Sequence, residues 1–372
     1  MIVHAPQIEE RGGVLAVSAR VDVGRRDLPD AVWFEVPARF GDLLVARADA
    51  FAALLCPLAM ALGEDLDVRG PLSPRLLLGL REWQEAVHAW LPGTFRVARV
   101  EAAELSRPAG GGSVAAAFSG GVDSFYTLWC HLAKNEPVPE LRVGRALFVQ
   151  GIDIDAGEAG RFDELARAYA ELLARHGVEL VPIRTNAKDF SRRLRKGFRV
   201  GTMPMAAALA LGAGLARFLS PASHVYDNLE PWASHPGLDY LLATETLEVV
   251  YHGGGLTRLD KLRVLADWEA THTHLRVCRR GGAGAPNCGR CQKCIGTMVR
   301  LEVLGALSHY AVFPPLEGRH VRRVRFVGLD DHFVAETLEP AFRTGRYRRV
   351  LDLACAAVVN RTPLRRLLAA RI

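Results

Sequence analysis

Apolar and polar residues alternate from the start of the chain. "VLAVSARVDV" (14–23) and "AVWFEVP" (31–37) put an apolar side chain at every second position, which predicts strands. The period then lengthens. "ARADAFAALLCPLAMALG" (46–63) is apolar on most faces and stops at Gly63, as a buried helix does. "SPRLLLGLREWQEAVHAW" (73–90) predicts a second helix, with Ser73 as N-cap and Pro74 in the first turn. "FRVARVEAAEL" (95–105) predicts a closing strand, and "SRPAGGGS" (106–113) has the composition of a linker.

Beyond the linker, strand and helix patterns take turns. "VAAAF" (114–118) is short and wholly apolar, as a strand covered on both faces should be. After Asp123, residues Phe125, Leu128, Trp129 and Leu132 fall at helical spacing. "RALFVQGID" (145–153) and "VELVPIRTN" (178–186) predict strands on either side of the amphipathic helix "EAGRFDELARAYAELLARHG" (158–177). "MPMAAALALGAGLARFL" (203–219) predicts a buried helix, and "SHVYDN" (223–228) a fourth strand. The order predicts an α/β fold built on a doubly wound parallel sheet. Three domains are expected: an N-terminal α+β accessory domain (1–108), a central domain (109–307) and a small helical extension (308–372).

Composition adds little to this picture. With 372 residues, 49% hydrophobic and 24% charged, the chain is an ordinary globular protein long enough to bury a large core. A formal charge of +6 is compatible with a polyanionic ligand such as ATP, although arginine far outnumbers lysine and a solvated basic surface explains it equally well. No stretch reads as a signal peptide or a membrane span, so a cytoplasmic protein without membrane contact is expected. Of seven cysteines, four crowd between Cys278 and Cys294, which suits a metal site in a reducing compartment; Cys56, Cys130 and Cys355 sit in apolar or helical patterns as buried thiols.

The chemistry starts at Ser119-Gly120-Gly121-Val122-Asp123-Ser124, between a buried strand and a helix. Ligands of parallel sheets bind beyond the carboxyl ends of the strands. A helix start offers unpaired N–H groups and a partial positive charge, and glycines let the backbone approach a phosphate. A carboxylate beside phosphate calls for a cation between them, so Asp123 implies Mg²⁺. The lysine of a Walker A loop is missing, and so is G-x-G-x-x-G. The six residues resemble the PP-loop, SGGxDS, of the ATP pyrophosphatase superfamily, which cleaves ATP between its α and β phosphates. The resemblance implies an adenine nucleotide alpha hydrolase-like fold. It implies that Ser119, Gly120, Gly121, Val122 and Ser124 hold the pyrophosphate end of ATP and that Asp123 binds Mg²⁺. It puts adenine against backbone near Phe118 and near Phe148 to Val149. A basic residue from a later segment commonly neutralises the departing pyrophosphate; Arg258 and Lys261 in "GGGLTRLDK" are the candidates, the alternative being a solvated helix start capped by Thr257.

Cys278, Cys288, Cys291 and Cys294 follow the spacing C-x9-C-x2-C-x2-C. Four thiolates so spaced wrap one Zn²⁺ and leave no open position; an iron–sulfur cluster is the alternative. A PP-loop followed by this knuckle resembles the 7-cyano-7-deazaguanine synthase family over residues 113 to 300. That family adenylates 7-carboxy-7-deazaguanine, forms the amide with ammonia and dehydrates it to a nitrile with a second ATP. The segment before the cluster, "YDNLEPWASHPGLDYLLATETLEVVYHGGGLTRLDKLRVL", lacks the family's usual proline- and aspartate-bearing stretch, and the first 108 and last 65 or so residues have no counterpart. Longer relatives in antiphage systems are associated with conjugating a deazapurine to a protein.

The leading expectation is therefore an ATP-dependent, AMP- and pyrophosphate-forming enzyme that adenylates a deazapurine-like carboxylate for attack by ammonia or an amine. Its alternatives are conjugation to a partner protein, a tRNA-modifying enzyme, and a non-catalytic nucleotide- and zinc-binding module. Nucleic acid has little support as a partner, and a homodimer stays open. Weaker candidates are Ser234, His235 and Asp239 in "SHPGLD" as a substrate-side loop, Asp153 and Asp155 after a strand, seven basic residues between Arg184 and Arg199, and His272 and His274 beside the cysteines, all of which also read as ordinary turn or surface residues.

Overall fold

The alternation near the N-terminus becomes a set of strands with one buried face. In the computed structural model, β1 (Ile2–Val3), β2 (Gln7–Arg11), β3 (Val14–Asp22) and β4 (Ala31–Pro37) precede helix α1 (Asp49–Leu62), β5 (Leu66–Leu72), α2 (Pro74–Trp90) and β6 (Val100–Leu105). Residues 1–25, 27–281, 286–323, 331–348 and 350–351 are described. Val32, Phe34 and Val36 of β4 are buried while their neighbours are not. Gly63 ends α1 in the left-handed conformation, and the Ser73 hydroxyl caps α2 by accepting from the Leu76 N–H at 3.0 Å.

The alternating half continues with β7 (Ser113–Ala117), α3 (Val122–Cys130), β8 (Val143–Val149), α4 (Ala159–Ala174), β9 (Glu179–Thr185), α5 (Ala187–Ser191), α6 (Met203–Ala210), β10 (Leu215–Pro221) and β11 (Glu248–His252). Among the described residues, all eleven strands form one mostly parallel sheet of order β11-β10-β7-β8-β9-β4-β3-β1-β5-β6, with β2 on β3. Nothing in the sequence announced the junction in its middle. There β4 pairs antiparallel with β9, Phe34 opposite Thr185. Side chains stitch it: Thr185 Oγ1 donates to the Trp33 carbonyl at 2.6 Å, Asn186 Oδ1 accepts from the Trp33 N–H at 3.0 Å, and Asn186 Nδ2 donates to the Ala31 carbonyl at 2.8 Å.

Two elements differ from their prediction. Residues 203–219 are not one helix: α6 ends at Ala210, and β10 begins at Leu215 after a turn containing Gly212 and Gly214. An uninterrupted apolar run has no period to separate buried helix from buried strand. Residues 223–228 form turns rather than a strand; the fifth parallel position goes to β11.

By contact density the chain divides into two units. The first is Met1–Ser119 with Thr127–Gly254 and contains the whole sheet. Its core gathers Phe34, Phe51, Trp83, Phe95 and Phe198, with α1 packed on α6. Each such side chain contributes about 1.5–3 kcal/mol by leaving water. The second is Gly120–Tyr126 with the described residues from Gly255 on. It holds α7 (Arg258–Leu265), α8 (Glu269–His274), α9 (Gln292–Leu304), α10 (Gly318–Arg323) and α11 (Asp331–Arg343). In it α7 packs on α9, and α9 on α11. Of the expected helical extension, residues 324–330, 349 and 352–372, with Cys355, lie outside the described residues. Among the described residues no helix is long and apolar enough to cross a membrane.

Candidate functional site

β7 is buried along Val114, Ala115 and Ala116, and the chain turns directly from it into α3. Gly120 makes the turn with φ +73°, a conformation that strains any residue with a Cβ. Its carbonyl accepts from the Arg276 N–H at 2.7 Å, and the Gly121 carbonyl accepts from the Ser124 hydroxyl at 3.0 Å and the Phe125 N–H at 2.9 Å. The N-terminus of α3 is thereby fixed on both of its glycines.

Asp123, in the first turn of α3, is where the polar chemistry converges. Its Oδ2 accepts from Arg258 Nη2 at 2.8 Å and its Oδ1 from Lys261 Nζ at 3.0 Å. Local sequence explains the pairing. Thr257 and Asp260 form a reciprocal capping box at the start of α7, each side chain accepting from the other's N–H at 3.2 Å. Residues three apart then share a face, so Arg258 and Lys261 reach the same carboxylate. The capped helix start and the converging cations, alternatives in the sequence, occur together. The Lys261 side chain is only 3% exposed, and its ammonium lies 5.9 Å from the Tyr126 ring centroid. Burial opposes ionisation of Asp123, but the charges of Arg258 and Lys261, with their hydrogen bonds, outweigh it and hold the carboxyl well below the usual range. Asp123 raises the Arg258 pKa in return. One carboxylate is enough to help hold Mg²⁺ when phosphates supply other ligands, though here its oxygens face two cations.

The four cysteines come together as one group whose sulfurs all lie within 4.8 Å of one another. Cys278 and Cys291 are 3.8 Å apart and Cys288 and Cys294 3.9 Å. A tetrahedral ion with bonds of about 2.3 Å to sulfur sets its ligands about 3.8 Å apart, so the group could hold a metal ion such as zinc. An iron–sulfur cluster puts several atoms between its thiolates. Hydrogen bonding from Cys294 is the largest influence on Cys291; against burial it brings that thiol down to about 5, while burial pushes Cys278 up. Asn287, 1% exposed, braces the knuckle: it accepts from the Val277 N–H at 2.9 Å and donates to the Leu275 and Val312 carbonyls at 2.8 and 3.2 Å. His272 and His274 instead lie within hydrogen-bond distance of the Ala266 and Ala270 carbonyls.

The remaining candidates belong to the first unit. The Phe118 N–H donates to the Leu147 carbonyl just past β7, Ser119 follows it, and Val149 ends β8 opposite Ile183 of β9. Asp239 is fully buried; it accepts from the Ser234 hydroxyl at 3.0 Å and the His235 N–H at 2.9 Å. Burial raises its pKa to about 6, against those hydrogen bonds. Four residues of the basic stretch are paired with carboxylates: Arg184 with Asp163, Lys188 with Asp155, Arg192 with Asp189 and Arg193 with Asp27. Arg276, Asn287 and Arg300 were not singled out in the sequence. For Arg300 the signal was there, a lone cation in the apolar run "TMVRLEVLGAL".

Compared with models of protein families and with curated proteins, the chain matches none.

Proposed function

We propose that the chain is an ATP-dependent enzyme of the PP-loop type that forms AMP and pyrophosphate, with zinc as a structural ion in the cysteine knuckle. The observation that carries this reading is the convergence of Arg258 and the buried Lys261 on Asp123, at the start of the helix that follows the glycine turn. A structural role alone needs one cation for one carboxylate. A second, deeply placed one is suited to charge that appears during a reaction. The strand order supports the doubly wound fold expected for such enzymes: counted from β7, the parallel strands run 3-2-1-4-5.

In this reading the N–H groups of Gly121 to Ser124 and the two cations of α7 bind the β and γ phosphates. A substrate carboxylate oxygen attacks the α-phosphorus, the bond to the bridging oxygen breaks, and that oxygen's electron pair leaves with pyrophosphate. Arg258 and Lys261 stabilise the charge that builds there, and Asp123 holds them in place until the phosphates arrive. Asp123 would help hold Mg²⁺, which would supply further charge neutralisation. Ammonia or an amine then displaces AMP from the acyl adenylate. The first acid to try is 7-carboxy-7-deazaguanine, which the PP-loop and knuckle together imply.

The test is product analysis. Purified protein with ATP, Mg²⁺ and candidate acids should release AMP and pyrophosphate; ADP and phosphate instead would overturn the reading.

A further inference from the structure

The cysteine knuckle and the glycine turn are joined by one short stretch of chain. Leu275, Arg276 and Cys278 are buried, and the Arg276 N–H donates to the Gly120 carbonyl at 2.7 Å. The stretch is anchored on the knuckle. Asn287, one residue before Cys288, accepts from the Val277 N–H and donates to the Leu275 carbonyl, and Cys278 belongs to the sulfur group itself. A second route leaves the knuckle through α9. The Cys291 sulfur accepts from the Cys294 N–H at 3.5 Å and caps that helix, and α9 packs on α7, which carries Arg258 and Lys261.

The peptide between Gly120 and Gly121 is planar and trans, so the Gly120 carbonyl and the Gly121 N–H point in opposite directions. Fixing the carbonyl on Arg276 therefore fixes where that N–H is aimed. Glycine on both sides lets this peptide turn over as a unit, because no Cβ opposes either orientation. Turned over, it presents a carbonyl oxygen where an anion needs a donor.

Resting on the reading of this turn as a phosphate site, we propose that residues 275–278 are its positioning element. The Arg276 N–H holds the Gly120–Gly121 peptide with its own N–H toward the phosphates, and metal in the cysteine group keeps Arg276 in place. Metal occupancy thereby sets how tightly the turn binds phosphate. It acts through a backbone hydrogen bond, since four thiolates leave the ion no open position for a ligand.

The experiment uses the full chain, with zinc content verified by native mass spectrometry and folding by thermal melting. The readouts are hydrogen exchange of the amides in 120–126 and calorimetric titration with inorganic pyrophosphate and Mg²⁺. Removing the zinc, below the melting temperature of the metal-free chain, should speed exchange in 120–126 and weaken pyrophosphate binding about tenfold, while β8 and β9 keep their protection. Arg276→Pro deletes the donor with the knuckle still loaded; Leu275, at φ −63° and ψ 119°, already has the extended backbone required before proline. Arg276→Met keeps the N–H and accounts for the lost guanidinium, whose Nη1 donates to the Cys278 carbonyl at 3.4 Å. The proline variant should bind pyrophosphate about tenfold more weakly than the methionine variant. Equal binding by the two variants, both folded and zinc-loaded, overturns the proposal, as does unchanged exchange after verified zinc loss. Where one treatment unfolds the chain, the other decides. A zinc-loaded native chain that is folded but binds neither pyrophosphate nor ATP removes the phosphate reading, and this proposal with it, whatever the exchange shows.

Discussion

Asp239 offers the sharpest quantitative test of the sheet-bearing unit. Its carboxyl is inaccessible to solvent and titrates near 6 instead of 3.8, because burial disfavours the anion more than hydrogen bonds from the His235 N–H and the Ser220 and Ser234 hydroxyls favour it. The folded state therefore holds this proton more tightly than the unfolded chain. Its contribution to stability is fully present below pH 3.8, declines as pH rises, and is lost above about 6. The gap between the two values corresponds to about 3 kcal/mol. Asp239→Asn keeps an acceptor for the His235 N–H and never ionises; the Ser220 and Ser234 hydroxyls can turn to accept from the two amide hydrogens. Relative to the native chain the variant should gain about 1.5 kcal/mol at pH 5 and about 3 kcal/mol at pH 7.5. Any constant cost of the amide itself cancels in the difference, as do groups that titrate alike in both proteins. Urea unfolding followed by tryptophan fluorescence reads it locally, since Trp90 stacks edge-on against the His235 ring with centroids 4.9 Å apart. A stability gap that stays constant or narrows between pH 5 and 7.5 would refute the reasoning.

Further outcomes follow from single contacts. Lys261→Met should lower the rate of AMP and pyrophosphate formation about 100-fold or more while leaving the fold intact, since it removes a preorganised donor but leaves Asp123 paired with Arg258; a rate near native argues that the lysine is structural. Asn287→Ala leaves one N–H and two carbonyls without their partner and should cost about 2–4 kcal/mol in thermal or urea unfolding, together with weaker retention of metal by mass spectrometry under native conditions. A strong chelator of zinc should lower the melting temperature of the native chain, because an ion bound only by the folded knuckle stabilises it by mass action; an unchanged melting temperature after verified metal loss would disconnect the cysteines from stability. Gly79→Ala should destabilise α2 and the loop bearing Asp239 despite alanine's better helix propensity, since the new Cβ would fall 1.8 Å from the Leu241 carbonyl oxygen; circular dichroism melts decide the sign.

Legibility in the sequence tracked how local each cause was. Ser73 with Pro74, Gly63, and the 3.6-residue stripe of α4 depend on neighbours a few residues away, and all could be read directly. The meeting of the four cysteines could also be read, because thiols at such spacing have little other use. What failed was decided at long range. The run 203–219 is apolar whichever way it folds, so only the company of β7 and β11 makes its second half a strand. The pairing of β4 with β9 depends on Thr185 and Asn186, which have nothing unusual about them until Trp33 is opposite. Arg276 and Asn287 escaped for the same reason: their work is done through backbone partners, which leave no pattern.

The arrangement at Asp123 bears on how such a site could work at all. A carboxylate that serves Mg²⁺ is expected to stand open, yet here it is closed by two cations. Leaving it open would place an uncompensated anion beside a buried lysine, a costly state for both. On the proposed reading the pairing is the resting form of an exchange. A metal–nucleotide brings a cation for Asp123 and anionic oxygens for Arg258 and Lys261, so each charge changes partner and none is stranded. Either component alone would have to break the existing pairs without replacing them all. Selectivity for metal and nucleotide together then follows from charge balance among three residues, and needs no second carboxylate at the site.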